Sequence, residues 1–92
     1  MKAGELRRVP IEGELTISNA AEHKQRLLSA LGGEAGLRLD LSAVSELDTA
    51  GLQVLLLVQR EAERLSLVVE FCDPSPAAAE VLTITHLSQP EV

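Results

Sequence analysis

The sequence predicts a small α/β fold, a mixed β-sheet of about four strands flanked by helices. Three observations carry this expectation. Leu37, Leu39 and Leu41 alternate with Arg38 and Asp40, the period of two that marks a strand with one buried face. Apolar residues recur at helical spacing around residues 20–31 and 50–64. Short β-rich runs lie between and beside these helices, and such alternation implies a sheet with right-handed crossovers.

Each element has its own local signal. From Glu5 to about Ile17 the chain mixes Leu6, Val9, Ile11, Leu15 and Ile17 with charges, and Pro10 to Gly13 reads as a turn from one short strand into the next. Asn19-Ala20-Ala21-Glu22 has capping-box spacing and opens a helix over about 20–31, which Gly32-Gly33 stops. The leucine strand follows, with Ser42 to Asp48 as its connection to a second helix over about 50–64. Leu67 to Cys72 is β-rich and ends at Asp73-Pro74. Ser75-Pro76 supplies an N-cap and a proline at N1 for a third helix through Ala77, Ala78, Ala79, Val81 and Leu82. The tail from His86 to Val92 is expected to fray.

The 92 residues suit a single domain spanning 1–92. A chain of this size buries roughly 60–65% of its unfolded surface, so a deep substrate cavity would consume much of the core. Phe71 is the sole aromatic residue, which leaves the core to Leu, Val, Ile and Ala. The net charge of −6 and the scattered Lys and Arg argue against nucleic acid as a partner and favour a basic protein surface. Cys72 is alone, which excludes an intramolecular disulfide and suits a reducing compartment. Met1 to Arg8 contains no apolar run, and Val54 to Val58 is the longest apolar stretch, far short of a membrane span. A soluble, cytoplasmic protein without membrane insertion is expected.

Functional interest centres on Leu47-Asp48-Thr49-Ala50-Gly51-Leu52, where a loop enters the second helix. Two readings fit it. In one, Asp48 or Thr49 caps the helix and Gly51 permits close packing, as at many helix starts. In the other, Thr49 offers a hydroxyl at the positive end of a helix, where phosphorylation adds ~1.5 to 2 negative charges and changes partner binding without unfolding the domain. The second helix bears on this choice. Leu52, Val54, Leu55, Leu56, Leu57 and Val58 point in nearly every direction, broken only by Gln53. Either this helix is buried on all sides or part of it is an exposed apolar face, and the second favours a partner-binding or homodimer surface beside Thr49. The partner-binding candidates are therefore Asp48, Thr49, Ala50, Gly51, Leu52, Gln53 and Leu56.

Leu39-Asp40-Leu41-Ser42 running into Leu47-Asp48-Thr49-Ala50-Gly51-Leu52 resembles the STAS domain, the fold of bacterial anti-sigma factor antagonists. The resemblance extends from about residue 5 to 87. It implies a mixed sheet flanked by helices and no catalytic activity, and no cofactor is expected. It also implies that the hydroxyl directly after the motif aspartate, here Thr49, is phosphorylated by a partner serine/threonine kinase of the anti-sigma type. In that scheme the unphosphorylated domain binds its partner and releases the partner's target, phosphate blocks binding, and a phosphatase resets the module. The chain departs from family members with two adjacent hydroxyl residues, because Ala50 fills the second position. Asp-Thr-Ala-Gly-Leu also resembles STAS accessory subunits of a phospholipid-transporting ABC system, in which this loop contacts the ATPase subunit. Gly13 to Ile17 and Glu22 further resemble STAS proteins of chemotaxis systems.

Enzymatic readings find little support. His23 and His86 are the only histidines; neither accompanies a nucleophile and an orienting acid, and His23 reads as solvated. Asp40, Glu46 and Asp48 lie close in sequence without metal-ligand spacing of His or Cys, so no metal is expected. Gly32-Gly33 follows a helix instead of preceding one, unlike a phosphate loop. Cys72 ends an apolar strand and reads as an inert, buried thiol.

Overall fold

The computed structural model describes residues 6–31 and 36–85, with side chains through residue 83. Three strands and three helices alternate: β1 (Leu6–Leu15), α1 (Ala20–Ala30), β2 (Gly36–Leu47), α2 (Thr49–Arg64), β3 (Val69–Cys72) and α3 (Pro76–Thr85). The strands lie side by side in the order β1-β2-β3, and both pairings are parallel. Parallel neighbours need a crossover, supplied first by α1 and then by α2. Two right-handed crossovers advancing in one direction put both helices on the same face of the sheet, and α1 and α2 pack against each other there. The α/β class matches the expectation. Among the described residues, however, the sheet has three parallel strands and not about four in mixed orientation.

The difference arises in β1. Pro10 to Gly13 does not turn the chain; β1 runs through it as one strand of 10 residues. Pro10 lacks an N–H, which an edge strand tolerates, and β1 is an edge among the described strands. Its register against β2 shifts between Pro10 and Glu12 and again between Gly13 and Glu14. Gly13 takes a φ of +79°, open to glycine without strain.

Both shifts insert an extra residue on the β2 side, which explains why β2 is longer than its leucine alternation suggests. Its buried apolar residues are Leu37, Leu39, Leu41, Val44 and Leu47. They step by two up to Leu41 and then by three, because each bulge adds a residue before the next inward position. Ser42 to Leu47 therefore continues the strand, where the broken alternation had suggested a connection.

Leu residues dominate the core, with Ile11, Leu15, Leu27, Leu31, Leu37, Leu39 and Leu55 all at most 1% exposed. On α2 the inward residues are Gly51, Val54, Leu55, Val58 and Ala62, a helical stripe. Leu56 and Leu57 remain 37% and 38% exposed, so the apolar helix is neither wholly buried nor wholly a surface. At its C-terminus Ser66 adopts φ +62°, Ser66 N–H donates to Glu63 O at 3.0 Å and Leu67 N–H to Ala62 O at 2.8 Å. This is a Schellman stop with serine in the place glycine usually takes.

The other two helix starts differ. Ser75 Oγ accepts from Ala78 N–H at 3.1 Å, the cap expected for α3. Asn19 precedes α1, but its side chain makes no capping bond. Its Oδ1 accepts from Thr16 N–H at 2.9 Å and its amide donates to Glu14 O at 2.6 Å. The expected capping box is thus replaced by a brace on the β1–α1 loop, since a short amide side chain bonds whichever local backbone group lies nearest. The Gly32-Gly33 stop and the His86–Val92 tail lie outside the described residues. No helix among the described residues is long and apolar enough to cross a membrane.

Candidate functional site

The C-terminal ends of β1 and β2 meet the start of α2, and Asp48 joins the three. It is the N-cap of α2 in extended conformation. Its Oδ1 accepts from Gly51 N–H at 2.9 Å and its Oδ2 from Ile17 N–H at 3.0 Å. One carboxylate thus caps a helix and holds the β1–α1 loop, a residue 31 positions away. The hydrogen bonds from Gly51 and then Ile17 hold its carboxyl below the ordinary value of 3.8. Asp48 N–H reaches back to Leu15 O at 3.4 Å.

Gly51 makes this junction possible. It is buried, and a Cβ placed on it would lie 1.9 Å from Leu15 O and 2.8 Å from Leu47 Cδ1. The first turn of α2 therefore rests directly on the last carbonyl of β1. Helix capping and close packing, the simpler reading of this segment, are both present. They do not involve the threonine.

Thr49 is exposed at the first position of α2, and no described residue bonds its hydroxyl. Ala50 is half-buried, Leu52 is half-buried, and Gln53 is exposed. The seven candidates thus divide by role. Asp48 and Gly51 build the junction, Thr49 and Gln53 face solvent with Leu56, and Ala50 and Leu52 lie between.

Ala50 and Gln53 also line an open groove of about 410 Å³ between α1 and α2. The α2 wall is Ala50, Gln53, Val54 and Leu57. The opposite wall is Ile17, Ala20, Ala21 and Lys24. From the sequence alone Ile17 falls at a strand end and Ala20 and Lys24 on the first helix, with no site role. A usable signal was present, because Ile17 to Lys24 repeats the i, i+3, i+4, i+7 spacing seen from Ala50 to Leu57.

The remaining polar groups lie elsewhere. Asp40 is buried within β2, where it pairs with the Arg8 guanidinium and accepts from Ser42 N–H at 2.9 Å. Its carboxyl is held low chiefly by the Ser42 bonds, with Arg8 adding to them. Ligand atoms of Asp40, Cys72 and Asp73 come within 4.8 Å of one another. Asp40 is already occupied, and burial pushes the Cys72 thiol up, aided by Asp73 and Asp40. A protonated thiol is a poor ligand, and the group has no feature of a metal centre beyond proximity. His23, expected to be solvated, is half-buried with Nδ1 out of contact with any hydrogen-bond partner among the described residues.

A parallel sheet carries two helices on one face, and the second of them starts with an aspartate N-cap followed by an exposed threonine, an arrangement consistent with a STAS-type domain. The family model described as "Mlab, STAS domain" matches residues 2–90, and the chain belongs to this family of STAS domains. Among solved structures it is similar to the anti-sigma factor antagonist SpoIIAA in its unphosphorylated form, with a TM-score of 0.75 at 21% identity. That match covers 96% of this chain and 78% of SpoIIAA and establishes the shared fold. No curated protein sequence matches the chain.

Proposed function

We propose that this chain is a non-enzymatic bacterial signalling module that binds a partner serine/threonine kinase, of the anti-sigma or chemotaxis-associated type, and is switched off by phosphorylation of Thr49. It would act as one domain in the cytoplasm, in transcription regulation or a related pathway. The observation that carries this reading is the division of labour at the start of α2. Asp48 already takes the Gly51 N–H that a phosphate would otherwise seek, whereas Thr49 is exposed and its hydroxyl is bonded by no described residue. A phosphate on Thr49 would therefore stand in solvent beside an ionised Asp48 and next to Ala50 and Gln53 at the groove. There it adds ~1.5 to 2 negative charges to the docking surface while the helix cap stays intact. Family membership and the SpoIIAA-like fold support the general kind.

Incubation with the cognate kinase and ATP, followed by intact-mass measurement, tests the switch. One phosphate is expected, absent from Thr49→Ala, together with loss of kinase binding by Thr49→Glu. If no phosphate is added and Thr49→Glu binds its partner as well as the parent, the switch is wrong. A constitutive subunit of a larger assembly, such as a transport ATPase, then takes its place.

A further inference from the structure

The groove between α1 and α2 has the dimensions and lining to select one kind of occupant. The α2 wall spans i to i+7, which along a helix is about 10 Å, or two turns, and the opposite wall combines the first turn of α1 with Ile17 of the β1–α1 loop. Three of the residues facing it, Ala20, Ala21 and Ala50, are alanines. Walls this low admit a helix backbone at the ~8–10 Å separation of packed helices, where larger side chains would hold it off. Large apolar side chains stand at the rims. Ile17 is 76% exposed and Leu57 is 38% exposed. Ile17 contributes little to the core at that exposure, and a residue of this kind gains most from burial against a partner.

Charge narrows the choice further. Among the described residues Lys24 is the one charged residue lining the groove, in a chain whose net charge is −6. An acidic segment repelled by most of this surface meets a cation here, against an apolar wall that weakens solvent screening. Docking of the groove against the same groove of a second copy would set lysine towards lysine. The site is also preorganised. Asp48 fixes Ile17 on one wall and the first turn of α2 on the other through its two hydrogen bonds, so little ordering remains to be done on binding.

We infer that this groove receives an amphipathic helix of a partner protein, about two turns long at the contact. Its small or aliphatic residues face the alanines of the two walls, and an Asp or Glu lies against Lys24. This inference rests on the reading of the domain as a partner-binding module and is independent of Thr49 phosphorylation. It belongs to the helix-in-groove mode of recognition, in which apolar anchors at i, i+3, i+4 and i+7 fill the trough.

Selection of an mRNA-display library of random peptides of about 16 residues, long enough to hold a helix, on the unphosphorylated chain tests it. Enriched peptides are expected to share that apolar spacing with one embedded acidic residue and to gain helical circular dichroism on binding. Fluorescence anisotropy should show affinity falling about tenfold on Lys24→Glu and returning when the peptide's acidic residue is reversed to lysine. Lys24 is exposed, so this variant is expected to keep the parent's melting temperature. Failure to enrich peptides, enrichment of peptides indifferent to Lys24→Glu, or self-association through the groove would overturn the inference. Thr49→Glu is measured against the same peptides. If they bind it unchanged and the kinase leaves Thr49 unmodified, the switch falls while the groove stands. If Thr49 controls kinase binding but no peptide engages Lys24, the groove falls and the switch stands.

Discussion

Gly51→Ala isolates the contact on which the site is built. The added methyl would meet Leu15 O at 1.9 Å and Leu15 C at 2.8 Å, both backbone atoms. Ordinary contact begins at 3.4 Å, so the end of β1 and the start of α2 must part by about 1.5 Å at this point. Neither side can yield by rotating a side chain. Leu15 is fully buried, and its carbonyl also accepts from Asp48 N–H. Overpacking of this kind costs about 1–3 kcal/mol, with backbone at the clash placing this case towards the upper end. Alanine recovers ~1 kcal/mol of helix propensity over glycine, leaving a net loss of about 2 kcal/mol. For a domain of this length that is a large share of a total of about 5–14 kcal/mol. Urea unfolding monitored by far-ultraviolet circular dichroism reads the change as a lower midpoint at unchanged slope. Because the strain spreads through Asp48, the amide resonance of Ile17 should shift as well. A variant as stable as the parent, or more stable by the propensity gain, would refute the account of this junction.

Other consequences follow from the same geometry. Asp48 has a depressed folded pKa, so its contribution to stability is full above the ordinary 3.8 and is lost as pH falls through the lower folded value. Asp48→Asn should make the acid limb of a stability–pH curve shallower, though not flat, since Asp40 and Glu61 are held low too; superimposable limbs would rule this out. Ser66→Gly relieves a left-handed serine at the end of α2 and should raise stability by about 0.5–1 kcal/mol, seen as a higher melting temperature in calorimetry. Cys72, expected to be buried, is only half-buried, yet this burial, with Asp73 and Asp40 nearby, raises its thiol, so iodoacetamide at pH 8 should alkylate it several-fold more slowly than free cysteine in a mass-spectrometric time course; labelling at the free-thiol rate would refute this.

Local signals were legible wherever the chemistry itself is local. Ser75-Pro76 announced α3, Asp48-Thr49 announced the start of α2, and Leu37, Leu39 and Leu41 announced β2, because caps and periodicity act within a few residues. The failures fell where a distant partner changes the local rule. Ser42 to Leu47 lost its alternation because β2 bulges against β1. Pro10 to Gly13 looks like a turn until an adjacent strand pairs with it. Asn19 had the spacing of a cap but bonded Thr16 and Glu14.

By itself, then, the sequence determined the alternation of strands and helices, a helix start at Asp48 or Thr49 and the lone hydroxyl of Thr49 beside Ala50. Tertiary structure decided what surrounds that hydroxyl. The second oxygen of Asp48 reaches Ile17 only because β1 and β2 end side by side. Gly51 is required because α2 begins against the Leu15 carbonyl, and the groove exists because two successive crossovers bring α1 beside α2. Helix caps and periodicities are written in neighbouring residues, whereas an interface between two elements depends on which faces the sheet brings together.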